Sequence, residues 1–348
     1  MMLKIYKFNN LPFIKLNEIQ KKYRDIFLNK IKKNIYSLVA NPCYCGINSD
    51  LLISETCRFG FNTRFVQCCN CGLIRQDPVL DKYSMNSFYE NEYRPLYTGK
   101  IAEYNIGEIF CAQYKSGKEY FNFIDKFLSS RNLSIKDFNQ VLEIGSSAGG
   151  ILAYFQDRGH IVYGVDPDEV YVKYANKRGC KSDSIFFNNI LKKKFDIIIL
   201  SHTFEHMLSP IEKLNSIYNL LNNNGIVFMQ LPGILSKNLH RMANIFFDYK
   251  KLHFMFYLQN AHTLYFTKKT FINLINFSGC FEIGSINEDI STVLVKKNSI
   301  KINKFIIKSD NKINNFIFKN NLRYFILKGI WLLLKWIPLL IKKLKKTT

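Results

Sequence analysis

The chain has 348 residues, enough for two modest domains or one large one, and a formal charge of +22. A hydrophobic content of 47% with 30 phenylalanines excludes a disordered chain. Residues 1–40 hold nine Lys/Arg against two Asp/Glu and residues 301–348 twelve against one, which leaves only +4 for residues 41–300. A nearly neutral middle argues against a nucleic-acid enzyme with a basic groove. Basic ends suit an anionic surface, although drift in a chain rich in Lys, Asn and Ile also accounts for them.

In chain order, Met1 to Asn10 lack the apolar run of a secretory signal, which with the cysteine usage points to the cytoplasm. Residues 11–40 read as one amphipathic helix with Leu16, Ile19, Tyr23, Phe27 and Ile31 as its stripe, ended by Asn41-Pro42. Residues 41–78 read as a loop-rich cysteine module closed by Asp77-Pro78. Its clusters are Cys43-Tyr-Cys45-Gly46 and Cys68-Cys-Asn-Cys71-Gly72, and the second is a C-x-x-C-G knuckle. Such a turn lets two thiolates face one metal ion. The expectation is a structural zinc held by Cys43, Cys45, Cys68 and Cys71, with Cys57 or Cys69 as substitutes. Buried free thiol pairs or a redox pair are the alternatives. Residues 79–131 form an aromatic, helical connector.

From residue 132 to 298 apolar runs alternate with helical stretches, which implies a parallel sheet. The strands are Val141–Ile144, Ile161–Val165, a weak one at Ser184–Phe187, Phe195–Leu200 and Ile226–Leu231. The helices are Gly150–Arg158, Glu169–Lys177 and Ile211–Leu221, with Gly159, Gly179 and Gly225 placed as C-terminal caps. A helical insertion at 234–258, the helix Lys268–Ser278 and two last strands, Phe281–Ser285 and Thr292–Lys296, complete it. The fold class is α/β: a Rossmann-like, doubly wound, mostly parallel seven-stranded sheet.

Two stretches carry chemistry. In Val141-Leu-Glu-Ile-Gly-Ser-Ser-Ala-Gly149 a strand meets a glycine turn, and Asp166 ends the next strand. The glycines allow a close backbone approach, and a carboxylate at that strand end accepts hydrogen bonds from ribose hydroxyls. No G-x-G-x-x-G window fits, which argues against a pyrophosphate cofactor. Glu143 would repel a diphosphate and welcome an ammonium and a sulfonium. The second stretch is Phe195-Asp-Ile-Ile-Ile-Leu-Ser-His202-Thr-Phe-Glu205-His206, where a buried strand delivers His202, Glu205 and His206 to the ligand edge of the sheet. Alone, His202-x-x-Glu205-His206 also matches a zinc-peptidase pattern, but that pattern needs a long helix and this one follows a strand.

The first stretch resembles motif I of the class I S-adenosylmethionine-dependent methyltransferases. That resemblance implies cofactor contacts at Glu143, Gly145, Ser147, Gly149 and Asp166. The second resembles the H-x-L-E-H segment after strand four of many small-molecule methyltransferases, and Ala261-His262-Thr-Leu-Tyr-Phe-Thr267 resembles a segment flanking their acceptor pocket. His206 is the first candidate for the base that takes the acceptor proton, His262 the second, with Glu205 and His202 beside them; for each, a structural role is the alternative. Val66 to Pro78, continuing to Phe88-Tyr89 and Tyr93-Arg94, resembles a subgroup with an N-terminal zinc module that is associated with sugar and surface-polysaccharide modification. The resemblance implies methyl transfer to a sugar hydroxyl in a surface-glycan or nucleotide- or lipid-linked intermediate. The rivals are a quinone or lipid hydroxyl at the membrane, and a non-catalytic protein that keeps the cofactor fold. No nucleic-acid partner is expected.

Residues 299–348 form a basic tail. Its apolar run, Tyr324 to Ile341, is broken by Lys328 and Lys335, which with Lys342 recur every seven residues. One lysine face and a tryptophan-bearing remainder suit an interfacial helix, with peripheral membrane contact through Tyr324–Lys346; packing on the body is the alternative.

Overall fold

The computed structural model describes residues 6–47, 49–100, 106–185, 193–235, 253–300, 315–326 and 328–329. The first helix, α1 (Glu18–Lys32), is shorter than the stripe suggests. Asn17 starts it late through a capping box: its side chain accepts from Gln20 N–H while the Gln20 side chain accepts from Asn17 N–H. Asn34 then turns the chain with a φ of 55°. Leu38–Val39 becomes β1, antiparallel to β5 (Val79–Leu80). Leu16 and Phe27 are buried, and Ile19, Tyr23 and Ile31 half-buried.

The cysteine region is a small sheet rather than a set of loops. β2 (Asp50–Thr56), β3 (Asn62–Cys68) and β4 (Ile74–Gln76) pair antiparallel, and β11 (Leu264–Tyr265) joins β4 from the far side of the sequence. Ile53, Phe65 and Val66 supply the strand propensity that the cysteine spacing overshadows. The aromatic connector forms α2 (Lys82–Asn91), α3 (Tyr93–Thr98) and α4 (Ile106–Ser129). α2 starts at Asp81, whose side chain accepts from Ser84 N–H.

The central sheet contains β6 (Gln140–Ile144), β7 (Ile161–Val165), β8 (Ser182–Asp183), β9 (Phe195–Ser201), β10 (Leu221–Gln230), β12 (Phe281–Ile286) and β13 (Ser291–Lys296), in the order β12-β13-β10-β9-β6-β7-β8. The strands from β8 to β10 are parallel and β13 and β12 antiparallel. Along β9, Ile197 and Ile199 pack on one face with α4 and α5 (Gly150–Gln156), as does α6 (Glu169–Lys177). Ile198 and Leu200 pack on the other with α7 (Pro210–Leu220) and α8 (Lys268–Ser278). Coverage on both faces explains why these strands read as continuous apolar runs. Gly150 allows α4 to rest directly on α5: a Cβ there would stand 2.2 Å from the Phe110 carbonyl.

Three sequence expectations shift. Gly159 and Gly179 follow their helices with φ of +89° and +87°, but Gly225 lies inside β10, because α7 ends at Leu220 and Leu221 is already extended. The weak third strand is Ser182–Asp183, two residues earlier than read, and residues 186–192 lie outside the described residues. So does most of the 234–258 insertion, of which residues 254–257 form a 3-10 turn. Residues 315–326 are helical and seated on the N-terminal segment: Tyr6 Oη donates to Asn321 Oδ1 at 2.9 Å, and Tyr324 packs against His253 and Phe13. The rest of the tail lies outside the described residues, apart from residues 299–300 and 328–329. Among the described residues, no helix is long and apolar enough to cross a membrane.

Candidate active site

A cavity of about 570 Å³ opens at the C-terminal ends of β6, β7 and β9, beside the point where the strand order reverses between β6 and β9. That is where open α/β sheets bind ligands. Gly145, Ser147, Val165, Asp166, Pro167 and Asp168 line one end of it. Gly145 has a φ of +80°, and a Cβ there would meet Thr203 Oγ1 at 2.4 Å, so only glycine keeps this turn clear. The Asp166 carboxylate is aimed by backbone: Oδ2 accepts from Ser147 N–H at 2.9 Å and Oδ1 from Asp168 N–H at 3.0 Å. Burial raises its pKa, against the opposing charge of Arg94.

Glu143 and Gly149 do not line the cavity. Gly149 caps α5 at a φ of +82°. Glu143 is fully buried, neither of its oxygens has a hydrogen-bond partner, and burial, then the Asp166 charge, pushes its carboxyl well up. Burial thus favours its neutral form beneath the turn, away from the cavity lining. The residues that remain fit a nucleoside: a backbone turn open at Gly145 and a fixed carboxylate one strand away.

Sequence reasoning gave no role to Arg94. From α3 it stacks on Tyr171 at 3.6 Å and donates from Nε to Asp168 at 2.7 Å and from Nη2 to Ser147 Oγ at 3.2 Å. Nη2 also lies 3.7 Å from Asp166. One guanidinium thus ties the glycine turn, the β7 acid and the α6 cap together. The sequence marks it only as part of Tyr93-Arg94, since its side-chain partners are all at least 50 residues away.

The histidines gather at the other end. His202, at a φ of 50°, lines the cavity with half its side chain exposed. Ser147 and Ser209, also lining it, have φ of 47° and 50°. Three non-glycine residues in this sparsely populated region around one cavity are a mark of a functional site. Glu205 is buried, with Oε1 3.7 Å from His202 Nδ1 and 3.8 Å from His206 Nε2, and no hydrogen-bond partner for either oxygen. Burial opposes its charged form, but contact with His202, then the neighbouring His206 and His262, holds the carboxyl at about 2. Burial also works against a charged His202, yet Glu205 keeps it above its ordinary value. Burial lowers His206, and burial with the His206 charge takes His262 down to about 3. His262 packs edge-on against His206 at 4.7 Å and does not line the cavity. Tyr89 and Tyr93 close this end, both edge-on to His206.

The loop carrying His262 is held by the cysteine module. Gln76 Nε2 reaches the carbonyls of Gln259, Asn260 and His262 at 3.1, 2.8 and 2.7 Å. The Thr263 hydroxyl and amide both donate to the Glu205 carbonyl, at 3.1 and 3.0 Å. In the module itself, Cys43, Cys45, Cys68 and Cys71 bring their sulfurs together within 4.8 Å of one another. The closest separations are 3.4 Å for Cys43–Cys71 and 3.6 Å for Cys43–Cys45 and Cys45–Cys68. Gly46 and Gly72 make the two turns at φ of 75° and 78°. Cys69 is exposed, and Cys57 belongs to the N-terminal core, so neither substitutes.

Residues 114–279 match the family model described as "Methyltransferase domain". The match spans just under half of the chain. None of the curated proteins matches its sequence. Among solved structures it is similar to the plantazolicin methyltransferase BpumL in complex with SAH, at 17% identity and a TM-score of 0.40, over 63% of this chain and 91% of that one. An S-adenosylmethionine-dependent methyltransferase from Clostridium acetobutylicum is 17% identical at a TM-score of 0.31, over 35% and 54%. The CcbJ methyltransferase from Streptomyces caelestis is 18% identical at 0.26, over 27% and 43%.

Proposed function

We propose that the protein is an S-adenosylmethionine-dependent methyltransferase, and that it methylates a hydroxyl of a sugar in a surface-glycan or nucleotide- or lipid-linked intermediate. The observation that carries this reading is the lining of the acceptor end. Lys82, Asn86, Glu212 and Lys213 bring hydrogen-bonding and charged groups to the cavity beside Tyr89 and Tyr93. Polar groups match a polyhydroxylated ring, aromatic rings cover its apolar faces, and the lysines match a linking phosphate. A quinone would offer those polar groups few hydrogen bonds.

S-adenosylmethionine supplies an activated methyl group, so the protein's work is alignment and proton removal. Asp166 offers its free lone pairs to the ribose hydroxyls, and Gly145 admits the nucleoside against bare backbone. Arg94 holds both loops in place. His202 is the group placed to take the acceptor proton: its Nδ1 faces Glu205, which leaves Nε2 for the cavity. His206, the first candidate from sequence, also lines the cavity, but its side chain is far less exposed than that of His202.

The four cysteine sulfurs have the spacing of tetrahedral zinc ligands, since bonds of about 2.3 Å place sulfurs roughly 3.8 Å apart. We assign them a structural zinc, which stabilises a module too small for a core of its own. The test of function is turnover of purified enzyme with labelled S-adenosylmethionine on nucleotide-sugar, lipid-linked sugar and quinone acceptors. Transfer to the sugars, lost in His202→Ala, supports the reading. Transfer to the quinone alone overturns the acceptor, and S-adenosylhomocysteine binding with no transfer to any acceptor favours a non-catalytic protein.

A further inference from the structure

Glu205, His206 and His262 each offer one ligand atom, and the three atoms lie within 4.8 Å of one another. The hydrogen bonds around His206 fix which of its nitrogens is free. Its Nδ1 lies 2.9 Å from the Ala261 carbonyl and 2.8 Å from Tyr89 Oη. A carbonyl oxygen only accepts, so Nδ1 carries the proton and donates it there. The Tyr89 hydroxyl donates to the same carbonyl at 3.1 Å. The lone pair of His206 is therefore on Nε2, the nitrogen 3.8 Å from Glu205 Oε1. A lone pair facing a buried carboxylate that has no hydrogen-bond partner is an electrostatic conflict, unless a cation lies between them. The separation is too long for a hydrogen bond, and it suits two ligands about 2.0–2.2 Å from one ion.

We propose that Glu205, His206 and His262 hold a divalent first-row transition cation, a second metal site distinct from the cysteine cluster. Two imidazoles and one carboxylate form a donor set that leaves coordination positions open. His206 lines the cavity, so those positions open toward the acceptor, and an acceptor oxygen is the ligand they admit. The imidazole orientation is secured from outside, as metal-bound histidines require: Nδ1 of His206 by Ala261, and the His262 loop by Gln76. The proposal deepens the acceptor-hydroxyl reading and rests on it.

The test uses the full-length enzyme, stripped by chelation and titrated with cobalt(II). Cobalt in the cysteine cluster gives thiolate-to-metal charge-transfer bands, whereas cobalt on nitrogen and oxygen gives ligand-field bands without them. The expected result is one further equivalent of cobalt bound with no added thiolate absorption, and its loss in both Glu205→Gln and His262→Ala while the thiolate bands persist. Persistence of those bands and an unchanged melting temperature show that the variants are folded. A wild-type enzyme that binds cobalt only with thiolate bands overturns the proposal, and this needs no variant. Calorimetry with S-adenosylhomocysteine separates the two failures: binding of the nucleoside without the second cobalt sinks the metal site alone, and no nucleoside binding sinks the methyltransferase reading beneath it.

Discussion

At the residue scale, the cofactor corner depends on the absence of one atom and the aim of another. Gly145→Ala places a Cβ 2.4 Å from Thr203 Oγ1 at a φ of +80°. We expect it to abolish S-adenosylhomocysteine binding in calorimetry while circular dichroism stays native, because the clash falls in the turn and not in the sheet. Asp166→Asn keeps the shape and removes the charge, and should weaken binding by about 1.5–3 kcal/mol, the range for hydrogen bonds to a charged group. An unchanged affinity in either variant would remove the cavity's nucleoside end. Gly145, Ser147 and Asp166 were legible in the sequence because strand, turn and acid are local features. Glu143 was legible as an acid, but not as a buried one: its burial comes from elements that pack under the turn. The role of Arg94 was not legible, since its three partners come from the turn, the β7 end and the α6 cap. We expect Arg94→Met to preserve the stack on Tyr171 and to lower nucleoside affinity, by loosening Asp166 and Ser147, with little change in melting temperature.

At the element scale, the parallel strands were readable because both of their faces are covered, so their apolar runs are unbroken. The cysteine module was misread as loops, since its strands alternate weakly and one of them, β11, comes from nearly 190 residues downstream of β4. That late strand joins the module to the active site. Gln76 follows Arg75 at the end of β4, and its buried amide reaches three carbonyls of residues 259–262. Gln76→Ala leaves those carbonyls short of donors at a cost of roughly 1–3 kcal/mol. Because His262 sits on that loop, the loss should exceed a plain stability effect. We expect kcat to fall at temperatures well below the melting transition, and S-adenosylhomocysteine affinity, which depends on the opposite end of the cavity, to hold. A parallel loss of both would mean that the module supports the whole fold and not the loop.

At the scale of the whole molecule, the C-terminal region divides by what it touches. Residues 315–326 sit against the N-terminal segment, with Asn320, Asn321 and Tyr324 buried and Tyr324 edge-on to His253 at 4.6 Å. Removing them strips the cover from Tyr6 and Phe13, and burying aromatic side chains of this size contributes about 1.5–3 kcal/mol each. The lysines that follow at 328, 335 and 342, with Lys343, Lys345 and Lys346, carry the charge. Near an anionic membrane each contributes about 1 kcal/mol. The two contributions separate by truncation. A chain ending at residue 326 should keep the melting temperature of the full protein and lose co-sedimentation with phosphatidylserine vesicles. A chain ending at residue 314 should lose both. Equal vesicle binding by the full protein and the shorter of these chains would take the basic tail out of any membrane role, and leave residues 315–326 as a brace for the N-terminal core alone.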